Sequence, residues 1–596
     1  MAPVLGIGCT IDDSVTRPGS GRPGGGGGGS AYGPEAFVTE WTVSSGDTIV
    51  LPSYDITPLP TLDYDVDWGD GSSDSNVITR DKTHTYTFGG GGTKVFQVVI
   101  TNQFHSLRMT RSNGLGYTSN QDRLTNMVQW GTDTTWSSLG YMFMDCGNME
   151  YTATDFPDIS NLAESSNARE MFRQCDSVVD LDLSNWTNTA NLTTLYGMFY
   201  GMDSLETLNL TNWDTSNVVS GTNICMNSGS AVNGCEFIMP DLDWSSIGSL
   251  SSMFYQTHVK SIDVSGWTFG KSIAINSLFR TTEEGSSGPS FSIDISTWNN
   301  TGYITNLNDF ISRSDMTSFN ATGIDTSNVT SMDRFAAHCD KLTHITGLDE
   351  FDATSLTTAH TMFSQADIFD FGATKSNFGS NWGPNLGSCT SLKEFFYNVG
   401  STTPSSTIVN VADWDTSANT TFLNFMNGCK WTGGGNPDVS NWDVSNVTTF
   451  QNAFRSSNVS LLDTSSWQIS SNCTDMSYFL RLADYNGDLD FGNCDFSAVT
   501  TFSNFGNQQE ITGFALDPAV SFAAVTIMTN FITGNPSLTT TDYDALLLRL
   551  AATATNTGVT LTVTNSKYTL GGAVETARDT TLIAGRSWTI NDDGGV

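Results

Sequence analysis

The chain has 596 residues, 62 acidic against 25 basic, and a formal net charge of −37, although only 15% of its residues are charged. An acidic skin repels polyanions within a screening length of about 8 Å in physiological salt, which argues against nucleic acid, anionic membrane or anionic glycan as the main partner and favours a cationic ligand or neutral sugar. Ten cysteines without a Cys-x-x-Cys pair read as reduced, buried thiols, with Cys225 and Cys235 the exception to test because they bracket an irregular stretch.

Residues 1–35 form an arm, and its run from Pro18 to Ser30, with unbroken glycine from Gly24 to Gly29, has the composition of a flexible linker. Met1 to Cys9 carries no Lys or Arg, and Gly6 and Gly8 interrupt its apolar run, so export by a secretory signal is not expected. Residues 36–110 form a separate segment ahead of the repeats. Within it, Trp68-Gly69-Asp70-Gly71 is a tight turn with the Trp packed inward, and His84 and Tyr86 belong to the same turn network. Asp65, Asp67 and Asp70 are the candidate calcium ligands there, weighed against a purely structural turn. Gly89 to Lys94 reverses the residue order of a phosphate-binding loop.

Residues 111–540 repeat a block of Met-Phe, Leu-x-x-Leu-Asp-Leu, Ser-Asn-Trp and Thr-Ser-Asn-Val about every 28 residues, giving about fifteen coils of a solenoid. Trp186, Trp213, Trp267, Trp298, Trp442 and Trp467 mark the blocks, a Phe such as Phe172 or Phe199 closes each, and Met226 stands near the one place where that Phe is missing. The Leu-polar-Leu step, as in Leu181-Asp182-Leu183, is a short strand with one buried face. The oxygen-bearing residues after the Trp suit a tight turn and a capped helical turn. Cys146, Cys175 and Cys429 follow their Phe by three places and Cys339 follows Phe335 by four, so an internal column of small side chains is expected. Ile324 stands where the Trp should be, which leaves the coil shape between residues 300 and 400 open.

Four places before each Trp, an outward-facing ladder is expected at Asp182, Asn209, Asp263, Asp294, Asn410, Asp438 and Asp463, with Asn320, Asp370 and Asp490 in the imperfect repeats. Parallel strands lie about 4.8 Å apart, so these side chains form a column that either keeps the sheet soluble or binds cations, or sugar hydroxyls through shared cations. Catalytic groupings are not visible. His338, Cys339 and His344 lack zinc-site spacing, and the many Asp residues offer no means of choosing a hydrolytic pair. From residue 541 the repeat gives way to a capping module, with an amphipathic helix over Thr541 to Ala551 and strands at Val559 to Val563 and Trp588 to Ile590.

The repeat pattern resembles the BspA-like leucine-rich-repeat surface proteins. Phe37 to Trp41, Trp68 to Gly71 and His84 to Tyr86 resemble the PKD-like domain that precedes such repeats, and Tyr543 to Leu547 with Asn565 to Tyr568 and Ser587 to Ile590 resembles a closing module of bacterial surface and phage virion proteins. The resemblance implies adhesion or display rather than catalysis. The fold expected is thus an α/β repeat solenoid preceded by a small β-sandwich and closed by a small α+β cap over residues 541–596. The function expected is that of a non-enzymatic phage virion surface protein, with a secreted bacterial adhesin or a glycan-degrading tailspike as alternatives. Its expected partners are other virion proteins through the arm and a host glycan or protein, in a multi-copy assembly without nucleic acid or membrane insertion. No cofactor is expected, with calcium at Asp65, Asp67 and Asp70 as the alternative.

Overall fold

The computed structural model describes residues 32–53, 61–109, 118–162, 167–281, 289–366, 383–400, 411–431, 436–469, 471–492, 494–507, 510–517, 520–534 and 538–596. The arm up to residue 31 and the ladder positions Asp370 and Asn410 lie outside these residues.

The N-terminal region is β-rich, with β1 (Phe37–Ser44), β2 (Thr48–Leu51), β3 (Asp63–Asp67), β4 (Ser73–Val77), β5 (Lys82–Thr85) and β6 (Thr93–Gln103). β1 runs antiparallel to β6, β6 to β3, and β2 to β5, and Trp41, Tyr64, Trp68 and Tyr86 are fully buried among them. The indole of Trp68 donates to Asp74 at 2.9 Å, its ring stacks on His84 at 4.8 Å, and Tyr86 donates to its carbonyl at 3.0 Å, so the expected turn network is present. β7 (Leu124–Gln129) pairs antiparallel with β1 and parallel with β8 (Glu150–Tyr151). One sheet, in the order β4-β3-β6-β1-β7-β8, therefore runs from this region into the first coil and covers the solenoid edge that would otherwise be open to pairing.

The repeats form a β-solenoid of about sixteen turns with three kinds of wall. On the first, short parallel strands align Leu181 with Leu208, Leu208 with Phe237 and Phe237 with Ile262, each inward residue flanked by solvent-facing ones. The indoles behind these strands also join the coils. Trp213, Trp267, Trp298, Trp442 and Trp467 each donate to a backbone carbonyl of the preceding coil at 2.7–3.0 Å. Ile324 is buried in the Trp place without breaking the coil. On a second wall the exposed threonines Thr357, Thr390, Thr420 and Thr448 each donate their hydroxyl to the carbonyl of the Thr one coil back, at 2.8–3.2 Å.

The third wall is the turn around each Met-Phe pair, and its backbone alternates in hand. Residues two before and two after the second member of the pair have positive φ: 59° at Tyr141 and 63° at Asp145, 51° at Glu170 and 55° at Gln174, 57° at Asn452 and 56° at Ser456. Left-handed backbone costs an L-residue about 1–2 kcal/mol, least for Gly and Asn. Gly197, Gly201, Asn223, Asn227, Asn424 and Asn452 at these places follow from that preference. The strained turns are tied together because alternate amides donate to the next coil: Tyr141 to the Arg169 carbonyl, Phe143 to Met171 and Asp145 to Arg173, at 2.8–2.9 Å. All these bonds point the same way along the axis, so one coil templates the next.

That wall corrects two details of the sequence reading. The missing Phe is replaced by Cys225, the neighbour of Met226, since Phe199 donates to the Ile224 carbonyl and Cys225 in turn to Met253. The Phe residues also fill two adjacent columns. Phe310 and Phe335 hold the first place of the pair, with Ile311 and Ala336 in the second, as the bonds from Phe279 to the Phe310 carbonyl and from Ile311 to the Phe335 carbonyl show. Cys339 is then three residues after Ala336, in line with the other cysteines, and the thiols of Cys175 and Cys339 donate to carbonyls one coil back at 3.1 and 3.0 Å. Cys225 and Cys235, the pair singled out for a test, are both buried free thiols like the other described cysteines.

At the C-terminal end, the helix Thr540–Thr553 is capped by Thr539, whose hydroxyl accepts from the Asp542 amide at 3.2 Å. The strands Thr560–Val563 and Thr589–Asn591 add in parallel to Met528–Thr533, so the module closes the solenoid by extending its sheet. Asp592 is its anchor, taking a two-pronged bond from Arg578 at 2.9 Å and the Tyr543 hydroxyl at 2.7 Å. No helix among the described residues is long and apolar enough to cross a membrane.

Candidate binding faces of the solenoid

The strand ladder exists, but its polar atoms belong to the fold. Asp182 lies opposite Asn209, and Asp294 opposite Asn320, whereas Ile238 stands between Asn209 and Asp263, and Thr346 follows Asn320, so the column is interrupted. In every described copy an Oδ1 accepts the amide of the residue two places on: Ser184 for Asp182, Thr211 for Asn209, Ser265 for Asp263, Ser296 for Asp294, Ser440 for Asp438 and Ser465 for Asp463, at 2.9–3.1 Å. The Ser465 hydroxyl and amide hold the Asp463 carboxyl below the usual range. At Asp294 burial pushes the other way, and the Ser296 hydroxyl and amide and Asn320 outweigh it. The aspartates of the Asp-Thr-Ser-Asn step do the same job, as at Asp325 with the Ser327 amide at 3.0 Å, while the buried Thr326 hydroxyl reaches the Asp352 carbonyl of the next coil at 3.0 Å.

The N-terminal aspartates are likewise engaged. Asp65 accepts from the Asn76 amide at 2.7 Å and Asn102 at 3.1 Å, Asp67 from the Gly69 amide at 2.9 Å, and Asp70 contacts Ser72 and His84. Burial raises the Asp70 carboxyl, but its bonds with Ser72 and His84 leave it below its ordinary value. Among the described residues no group of three or more His, Cys, Asp or Glu is placed to hold a metal ion. His338, Cys339 and His344 do not converge: the Cys339 thiol faces the core and bonds the Ile311 carbonyl, while His344 lies on a strand with Thr346 at 2.7 Å.

The turn wall carries what sequence reading missed. Arg169, Arg173, Arg280, Arg313, Arg334, Arg455 and Arg481, all the arginines described between residues 125 and 534, lie on or beside it. Several guanidinium groups sit over tyrosine rings of the same wall, Arg169 over Tyr196 at 4.0 Å, Arg173 over Tyr200 at 5.4 Å, and Arg455 and Arg481 both over Tyr478 at 5.6 and 5.4 Å. Some are neutralised locally, such as Arg173 by Glu170 at 2.9 Å and Arg334 by Asp309 at 2.7 Å. A groove of about 480 Å³ opens on the same wall, lined by Arg334, His338, Gln365, Glu394, Tyr397, Asn424, Asn427, Asn452 and Arg455. The signal was present in the sequence as Arg or Tyr within three residues of several of the Met-Phe pairs, but only the stacked coils bring them into one strip.

Four overlapping stretches, residues 166–289, 230–347, 285–404 and 390–513, match a family described as Mycoplasma protein of unknown function, DUF285. No match is found among curated proteins or among solved structures.

Proposed function

The chain belongs to the DUF285 family through its repeat solenoid, and from that premise we propose that it is a non-enzymatic surface protein that displays the solenoid for adhesion. The observation that carries this reading is the turn wall, where arginine, tyrosine and amide side chains from successive coils form one continuous polar strip over a backbone locked coil to coil. The repeat carboxylates serve their own turns, which supports a role in binding rather than hydrolysis. Residues 36–110, read as a PKD-like spacer, would set the solenoid off from its support, and the solenoid would meet a host glycan or protein.

The finer part of the proposal is that the support is a phage virion, joined through the arm in a multi-copy assembly. It rests on the likeness of the closing module around Tyr543 to Leu547 and Ser587 to Ile590 to modules of virion proteins. Two measurements test the two parts. Labelled chain is expected to be retained saturably on host cells, and no retention would overturn adhesion. Peptide mass spectrometry of purified particles is expected to find the chain at fixed stoichiometry to the major capsid protein. Its recovery only from bacterial cell-surface fractions would replace the virion by the bacterial adhesin.

A further inference from the structure

In a chain with 62 acidic residues against 25 basic, an arginine without an acid partner is a placement that calls for a cause. Arg455 and Arg481 are two such residues. Both are half-buried, both lie against the ring of Tyr478, and neither forms an ion pair among the described residues. The Nε of each is buried without a hydrogen-bond partner, and the nearest polar contact of Arg455 is Asn452 at 3.4 Å. The Tyr478 ring lies within cation–π reach of both guanidinium groups, at 5.6 and 5.4 Å, which restrains them before any ligand arrives.

Arg455 is one end of the groove, whose other end is Arg334, already occupied by Asp309. Between them most of the lining comes from side chains that both donate and accept, such as Gln365, Tyr397, Asn424 and Asn427, with one carboxylate, Glu394, among them. Asn427 donates to Asn424 at 3.2 Å, and Asn424 to Glu394 at 3.1 Å. Five successive coils contribute, which at about 4.8 Å per coil makes the groove roughly 19 Å long. Its lining contains one apolar residue, Ala337, so an apolar ligand is poorly matched. An extended chain of hydroxyl-rich rings fits both the length and the donor and acceptor content, and the step from coil to coil is close to the length of one pyranose unit.

Building on the adhesion reading, we propose that this groove binds an acidic oligosaccharide along the solenoid axis, with Arg455 at its end and Arg481 on the next coil beyond it receiving a ring carboxylate. The two-pronged guanidinium–carboxylate pair supplies what a neutral sugar would leave unused, since Arg455 and Arg481 have no acid of their own. The acidic skin of the molecule then acts as a filter. Anionic chains are repelled elsewhere within about 8 Å in physiological salt, and are accepted only on this strip.

The test uses the full chain and two probes, a uronic-acid hexasaccharide and its methyl ester, followed by titration calorimetry without divalent cations. The acid is expected to bind at least tenfold more tightly than the ester, and raised salt is expected to narrow that gap. Arg455→Ala with Arg481→Ala is expected to abolish the preference, while Arg455→Lys with Arg481→Lys, which keeps the charge but loses the fork, retains part of it. Tyr397→Ala is expected to weaken both probes alike. Equal binding of acid and ester, or an unchanged preference in the well-folded alanine double variant, would overturn the proposal. Retention on host cells without binding of either sugar would sink this assignment and leave adhesion standing, whereas loss of both would remove the two together.

Discussion

Asp263 and Asn209 occupy equivalent places and make the same two bonds, to the amide and hydroxyl of the residue two positions on, at 3.0 and 2.7 Å in each case. The acceptor oxygen rather than the charge is therefore what the turn requires. Asp263→Asn is expected to change stability by less than about 0.5 kcal/mol, and Asp263→Ala to cost about 1 kcal/mol, the net worth of a lost turn bond. Denaturant melts with and without calcium check both, and a calcium-dependent gap between wild type and Asp263→Asn would restore a cation role for the ladder. Burial also decides the cysteines. It raises the thiols of Cys339 and Cys429 to about 12 and that of Cys389 to about 11, so none of these is expected to react with a thiol reagent at pH 8 until the chain unfolds. The position of each ladder residue could be counted from the Trp. The partner of its oxygen could not, because that depends on how the chain turns after the strand.

At the scale of the coil, tryptophans and phenylalanines share the stacking, and Trp442 sits at a dense point of it. Trp442 lies 6.4 Å from Trp467 with the rings 3° from parallel and 4.7 Å from Phe422, and its indole reaches the Val411 carbonyl at 2.9 Å. Trp442→Ala is expected to cost about 4 kcal/mol. Because each coil touches only its neighbours, the loss should show as faster amide exchange over residues 411–480, with the N-terminal coils unaffected. Trp442→Phe keeps a ring but removes the indole donor to the Val411 carbonyl, which retains only the Trp414 amide at 3.3 Å, so a smaller effect in the same segment is expected. The inward Trp and Leu were legible from spacing alone. The pair of Phe columns was not, since both members of each pair are buried, as at Met171-Phe172 and Phe310-Ile311, and either place accepts a large ring. No period-2 or helical rhythm separates them, because a wall of alternating hand follows neither.

Across the whole molecule, the ends decide whether the stack persists. β1 and β7 close the N-terminal edge, and the module anchored on Asp592 closes the other. Burial alone would raise the Asp592 carboxyl, but Arg578 and Tyr543 outweigh it and hold it below the usual range. A carboxyl lowered in the folded state contributes stability above its unfolded pKa of about 4, and that contribution is lost as pH falls through the folded value. Asp592→Asn is therefore expected to cost about 3 kcal/mol at pH 7, and the difference from wild type should shrink below pH 4. Amide exchange over Thr560–Val563 and Thr589–Asn591 measures it, and a pH-independent difference would show that the charge is not the cause.

The chain's own pattern was enough to establish a solenoid, its inward Trp, Leu and Phe, the turn network around Trp68 and the closing helix, because each follows from periodicity or from a local turn whose parts lie within a few residues. Only the tertiary structure decided that Cys225 takes the place of a Phe, that the ladder aspartates serve their own turns, and that Arg334, Tyr397 and Arg455 line one groove. Those outcomes depend on which residues of successive coils come to lie side by side. That alignment is set by inter-coil hydrogen bonds between amides and carbonyls about 28 residues apart, which no side-chain pattern spells out.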